Sequence, residues 1–194
     1  MQLPISALSA WPWGWLQNLN FFVFGLLMVA FAVGLHRGMR SYRRGIIGPV
    51  LLVLSGIGVL IAGAFPWQRV GGEFIVPAGH LAGAALTFLG AGTGLIAISR
   101  RMTSDRRWRS VASYVLASGV TIVALFLLIM GFARTEDAPL HPWVGLLQRL
   151  ILAAWFPCII LLGLRLWHVG RITEQAIDDG EAASTAAAMP PRPW

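Results

Sequence analysis

The residues best suited to chemistry are few, and most of them sit in apolar surroundings. His80 stands just inside a long apolar run, and Gln148 and Arg149 stand inside another. Asn18 and Asn20 open an earlier run, and Gln68 follows the one after it. A histidine can move a proton near neutral pH or ligate a metal. An arginine can clamp a carboxylate or a phosphate. What is missing narrows the choice. No Ser-His-Asp or Cys-His arrangement can be assembled from the spacing, and no glycine-rich phosphate loop is present. There are four histidines, His36, His80, His141 and His168, but no helix carries two metal ligands at i, i+4 spacing. His80 and His141 with Glu73, Glu136 or Asp137 would be the zinc set, and no metal is expected there. Cys158, the single cysteine, lies in an apolar run and reads as a small buried side chain.

Composition says what must position these groups. The chain is 57% hydrophobic and 12% charged, whereas a soluble domain carries about 25% charged residues. So little polar surface cannot coat a globule in water, and a bilayer must solvate much of it. The net charge is +7, and every one of the 15 basic residues is an arginine. The lack of lysine fits the codon usage of a GC-rich bacterial genome. A basic chain can bind nucleic acid. Here the arginines gather in two short loops between apolar runs, so the charge is assigned to membrane orientation and no nucleic-acid partner is expected.

Five apolar runs are each about the 20 residues needed to cross a hydrocarbon core as a helix. They span residues 17–35, 46–65, 77–99, 111–133 and 143–167. Backbone groups in lipid must pair within their own segment, so helix is the reading for all five. The expected fold is all-α, a polytopic transmembrane bundle over 17–168. Residues 1–16, with Trp11, Trp13 and Trp15, read as a segment at headgroup level. Residues 169–194, with an alanine run and a Pro-Pro-Arg-Pro-Trp end, read as a disordered cytoplasmic tail.

Loop charge sets the orientation. Arg37, Arg40, Arg43 and Arg44 crowd the first loop, and Arg100, Arg101, Arg106, Arg107 and Arg109 the third. The second loop has only Arg69 and Glu73, and the fourth has Arg134, Glu136 and Asp137. The positive-inside rule then puts loops one and three in the cytoplasm, the N-terminus outside and the C-terminus inside. Under this topology Asn18, Asn20, Gln68, His80, Gln148 and Arg149 all lie near the outer face. Ionisable groups in lipid usually face a bundle interior or a wet cavity. The six residues are therefore the candidate lining of a pocket that opens outward. Each also has a plainer reading. Arg149 lies about 9 Å along its helix from Trp143 and can snorkel to the headgroups. His80 can hydrogen-bond a neighbouring helix, and Asn18 and Asn20 can cap or bridge helices.

Packing signals are clearer. Gly79, Gly83, Gly90 and Gly94 form a small-residue stripe on the third run, and Gly56 and Gly63 do the same on the second. Those two helices are expected at the centre. Pro157 is expected to kink the fifth.

The stretches SALSAWPWGWLQNLNFFVFGLLMVAFAVGLHRGM, GIGVLIAGAFPWQ, SVASYVLASG and GLLQRL, in this order and with His80 opening a helix, resemble a bacterial membrane family known as domain of unknown function 998. The resemblance covers Ile5 to about Trp167. It implies a six-helix membrane protein of unassigned activity, with a helix ahead of the Ser-Ala-Leu stretch that is absent from this chain. The family turn resembles Phe-Pro-x-Asp. Here Gln68 takes the acidic position, so a role that needs a carboxylate there is in doubt. The family lends no catalytic residues and no cofactor.

Three functions fit these observations. The first is a multi-pass plasma-membrane protein that binds a lipid or small apolar ligand in the outward pocket. The second is a membrane-embedded lipid hydrolase with His80 as acid/base and Arg149 on an anionic group; it lacks a nucleophile, and the balance is against catalysis. The third is a small transporter, which would need polar residues in the cytoplasmic halves of the helices, where they are scarce. Membrane lipid is the expected partner, with a helix partner or a second copy of the chain after it.

Overall fold

The computed structural model describes residues 3–39, 45–135 and 137–188. The first-loop residues Arg40, Arg43 and Arg44, the fourth-loop Glu136 and the last tail residues, 189–194, lie outside the described residues. Each long apolar run forms a helix: α1 (Gly14–Gly38), α2 (Ile47–Ala64), α3 (Ala78–Met102), α4 (Ala112–Phe132) and α5 (Val144–Ala188). All five are long and apolar enough to cross a membrane, which makes this a multi-pass membrane protein.

The ends of the helices follow from local chemistry. Pro66 cannot continue α2, which closes with the Phe65 N–H donating to the Ile61 carbonyl at 3.1 Å. Pro77 sits at the N-cap of α3 with extended backbone, and its carbonyl accepts from the N–H groups of His80 and Leu81. Between them the chain makes a small antiparallel hairpin, β1 (Gln68–Val70) and β2 (Glu73–Ile75), in which Arg69 faces Phe74. Gly71 (φ +62°) and Gly72 (φ +93°) form its two-residue turn, a conformation that side-chain-bearing residues rarely adopt. The hairpin is a local departure from the all-α expectation.

Two further differences concern the ends of the bundle. The N-terminal segment does not merely rest at an interface. Ile5–Ala10 winds into a 3-10 helix with Ser6, Ala7 and Ser9 buried, while Trp11, Trp13 and Trp15 stay exposed. At the other end, α5 is 45 residues long and continues unbroken past Pro157 and past 168, where a disordered tail is expected. Its backbone is helical to Ala188. Glu174, Gln175 and the many alanines are strong helix formers, and they carry the helix beyond the apolar stretch.

The helices pack in chain order, and α2 and α3 share the broadest interface. The reason is backbone contact. A Cβ on Gly58 would stand 2.7 Å from the Gly83 carbonyl oxygen, and a Cβ on Gly83 would stand 2.7 Å from that of Gly58. Gly90 likewise lies against the backbone of Leu51 and Ser55. Ser55 Oγ donates to the Thr87 carbonyl at 2.8 Å across the same interface. Gly56 and Gly63 face α1 instead, against Gly25 and Phe21. The other end of the bundle is fastened by arginine. The Arg101 guanidinium donates to the carbonyls of Gly45 and Met39 at 3.1 and 2.8 Å, and Arg165 Nε donates to that of Arg107 at 2.9 Å. Beside them Arg107 pairs with Asp105, and Trp108 is fully buried.

Candidate functional site

At the hairpin end the bundle opens into a cavity of about 720 Å³. Its walls come from the ends of α2 and α4, the starts of α3 and α5, the hairpin and the N-terminal segment. The helices supply apolar side chains such as Val59, Leu81, Ala84, Ile129 and Met130. Phe88 and Phe126 lie at its deep end with ring centroids 5.4 Å apart. Trp155 packs on Phe88 at 6.0 Å and on Phe24 at 5.6 Å, so the aromatic layer extends from α1 to α5. Phe88 is eight residues beyond His80 on α3, which puts this floor about 12 Å below the histidine. Beyond it, Ala91, Leu95, Cys158 and Leu162 are fully buried.

His80 is the best-defined polar group of the site. It is 4% exposed and sits in the first turn of α3, beside the end of α2. Its Nδ1 lies 3.0 Å from the Ala62 carbonyl oxygen and 3.1 Å from that of Phe65. Two acceptors at one nitrogen require a proton there, so Nδ1–H donates to carbonyls that α2 leaves free at its C-terminus. In the neutral ring Nε2 is then a bare acceptor. It has no protein partner among the described residues, and the histidine lines the cavity. Phe21 and Trp67 hold the ring edge-on, at 5.9 and 6.2 Å.

The N-terminal segment forms part of the roof. The Ile5 N–H donates to Gln148 Oε1 at 2.6 Å, and the Trp67 N–H donates to Ser9 Oγ at 3.0 Å. The segment thus bridges the end of α2 and the start of α5, with Leu3, Pro4 and Ser6 over the cavity. The hairpin covers another side. Arg69 stacks over Trp11 and Phe74, at 5.4 and 5.6 Å, and so links hairpin to N-terminal segment.

The six residues singled out from the sequence do not all meet. His80 and Gln148 line the cavity. Gln148 spends its amide oxygen on the roof rather than keeping it free. Arg149 is exposed and does not line it; its guanidinium donates to the Gly145 carbonyl at 2.7 Å and to that of Leu3 at 3.4 Å. Gln68 and Asn20 are exposed on β1 and α1, and Asn18 is half-buried on α1 with an unpaired Oδ1; none of the three lines the cavity. Ser6, Trp67, Thr87 and Arg134, which sequence reasoning did not place in the pocket, also line it, as do Glu73 and His141, weighed from the sequence only as metal ligands. Trp67 alone carried a readable signal, as the centre of the Phe-Pro-Trp-Gln turn. Among the described residues no three of His, Cys, Asp and Glu gather as a metal site.

A family model described as "Protein of unknown function (DUF998)" matches residues 1–165. No curated protein and no solved structure matches the chain.

Proposed function

This chain belongs to that family of proteins of unknown function, and we propose that it binds a lipid or another small apolar molecule in the cavity at the hairpin end. We place that end on the outer side of a bacterial plasma membrane, because the loops at the opposite end carry the arginines. One observation carries the reading. A cavity of about 720 Å³ has a mainly apolar lining, an aromatic floor, and polar groups that include His80, Glu73, Arg134 and His141. Ligand sites usually have volumes of about 300–1,000 Å³ and this division of polarity. The floor argues for holding over passage, since a transported molecule would have to part Phe88, Phe126 and Trp155 and then cross a packed apolar layer. Lipid hydrolysis fits less well. His80 is backed by main-chain carbonyls rather than a carboxylate, and Arg149 points elsewhere.

Displacement of N-phenyl-1-naphthylamine fluorescence tests this. The wild-type protein should bind the probe, and Ala84→Phe, which fills the cavity from α3, should weaken binding at least tenfold. Arg107→Ala, at the opposite end, should leave it unchanged. Equal binding by wild type and Ala84→Phe would refute the pocket.

A further inference from the structure

Whatever fills the cavity lies against His80, which lines it. Its Nε2 is an acceptor fixed in place, because Nδ1–H is held by two α2 carbonyls and the ring is clamped between Phe21 and Trp67. A ligand that covers it without offering a donor leaves a buried polar atom unpaired, and that is costly. Hydrocarbons, ethers and esters offer none. A carboxylate or phosphate brings only acceptors to Nε2, and the charge of Arg134 in the wall, which could meet it, is balanced by that of Glu73 in the same wall. An alkylammonium would donate, but the same wall holds Arg134 as well as Glu73 and so offers it no net negative charge. A hydroxyl remains. It donates to Nε2 and, being neutral, needs no net charge in a wall that holds both Glu73 and Arg134. Below the histidine α3 lines the cavity with Leu81, Ala84, Thr87 and Phe88 over about 12 Å, which suits a ligand body that is mainly hydrocarbon.

We propose, resting on the pocket reading above, that the cavity selects a neutral amphiphile with a hydroxyl head, whose O–H donates to His80 Nε2 while its hydrocarbon body lies against Leu81, Ala84 and Phe88. A site built to hydrogen-bond a hydroxyl discriminates against the analogue that lacks it, because the site's own polar atom is then stranded.

The test compares radiolabelled 1-decanol, decyl methyl ether and decanoate on the full chain in phosphatidylcholine nanodiscs, at equal bilayer mole fraction and with empty discs subtracted. Decanol should bind roughly fivefold tighter than the ether, as one net hydrogen bond allows, and decanoate should bind no better than the ether. His80→Asn is the informative variant. Its amide N–H can replace Nδ1–H toward the α2 carbonyls, and it lacks Nε2. It should bind decanol and the ether alike. An ether or decanoate that matches decanol on the wild type, or a decanol preference that survives His80→Asn, would overturn the hydroxyl assignment. Ala84→Phe separates that failure from failure of the pocket. If it leaves the binding of all three ligands unchanged, or if none binds the wild type above empty discs, the pocket reading falls too.

Discussion

At the scale of single residues, His80 shows both the reach and the limit of sequence reasoning. An ionisable residue in an apolar run stands out, and the rule that such groups face a wet interior directs attention to it; the histidine lies on a cavity wall. Its partners were not readable, because they are main-chain carbonyls freed by the end of another helix. The same rule misdirects for Arg149. Its long side chain reaches the carbonyl one turn back, at Gly145, and so needs no cavity. His80→Ala would leave the Ala62 and Phe65 carbonyls without their imidazole donor. It is expected to lower stability by about 1–3 kcal/mol, and His80→Asn should recover most of the loss. Thermal melts of the two variants in one detergent check this, and equal melting of both would contradict the assigned role of Nδ1.

Helices were the most legible elements, since length and lack of charge leave a lipid-facing segment no other structure. The hairpin was less so. Its strands are three residues each, too short to show alternation, and only Gly71-Gly72 hinted at a two-residue turn. The glycine stripe on α3 was correctly linked to close packing, but which glycines meet which helix depends on rotation about each axis. Gly58 was overlooked, yet it meets Gly83 backbone to backbone. Gly58→Leu should therefore cost about 1–3 kcal/mol, or prevent folding, through overpacking. Gly163→Ala, where nothing stands within 4 Å of an added Cβ, should stay within about 1 kcal/mol of wild type, on the stabilising side. Equal effects in an unfolding titration would mean that α2 and α3 are not held by backbone contact.

For the whole molecule, five spans and their order were legible from hydropathy, and the cavity was not. It arises where four helix ends, the hairpin and a folded-back N-terminal segment meet, and no local pattern records that meeting. The helical stretch up to Ala188 escaped notice because alanine-rich sequence without apolar periodicity carries no burial signal. The proposed orientation has its own test. A reporter fused after Trp194 should be active in the cytoplasm, and a periplasmic signal would invert the assignment of the cavity to the outer face.

The central claim is that the cavity holds a small amphiphilic molecule. Native mass spectrometry of the purified protein tests it most directly. The wild type should carry one adduct of defined mass per chain, retained by Arg107→Ala and absent from Ala84→Phe. A wild type without an adduct, or the same adduct on Ala84→Phe, would contradict it.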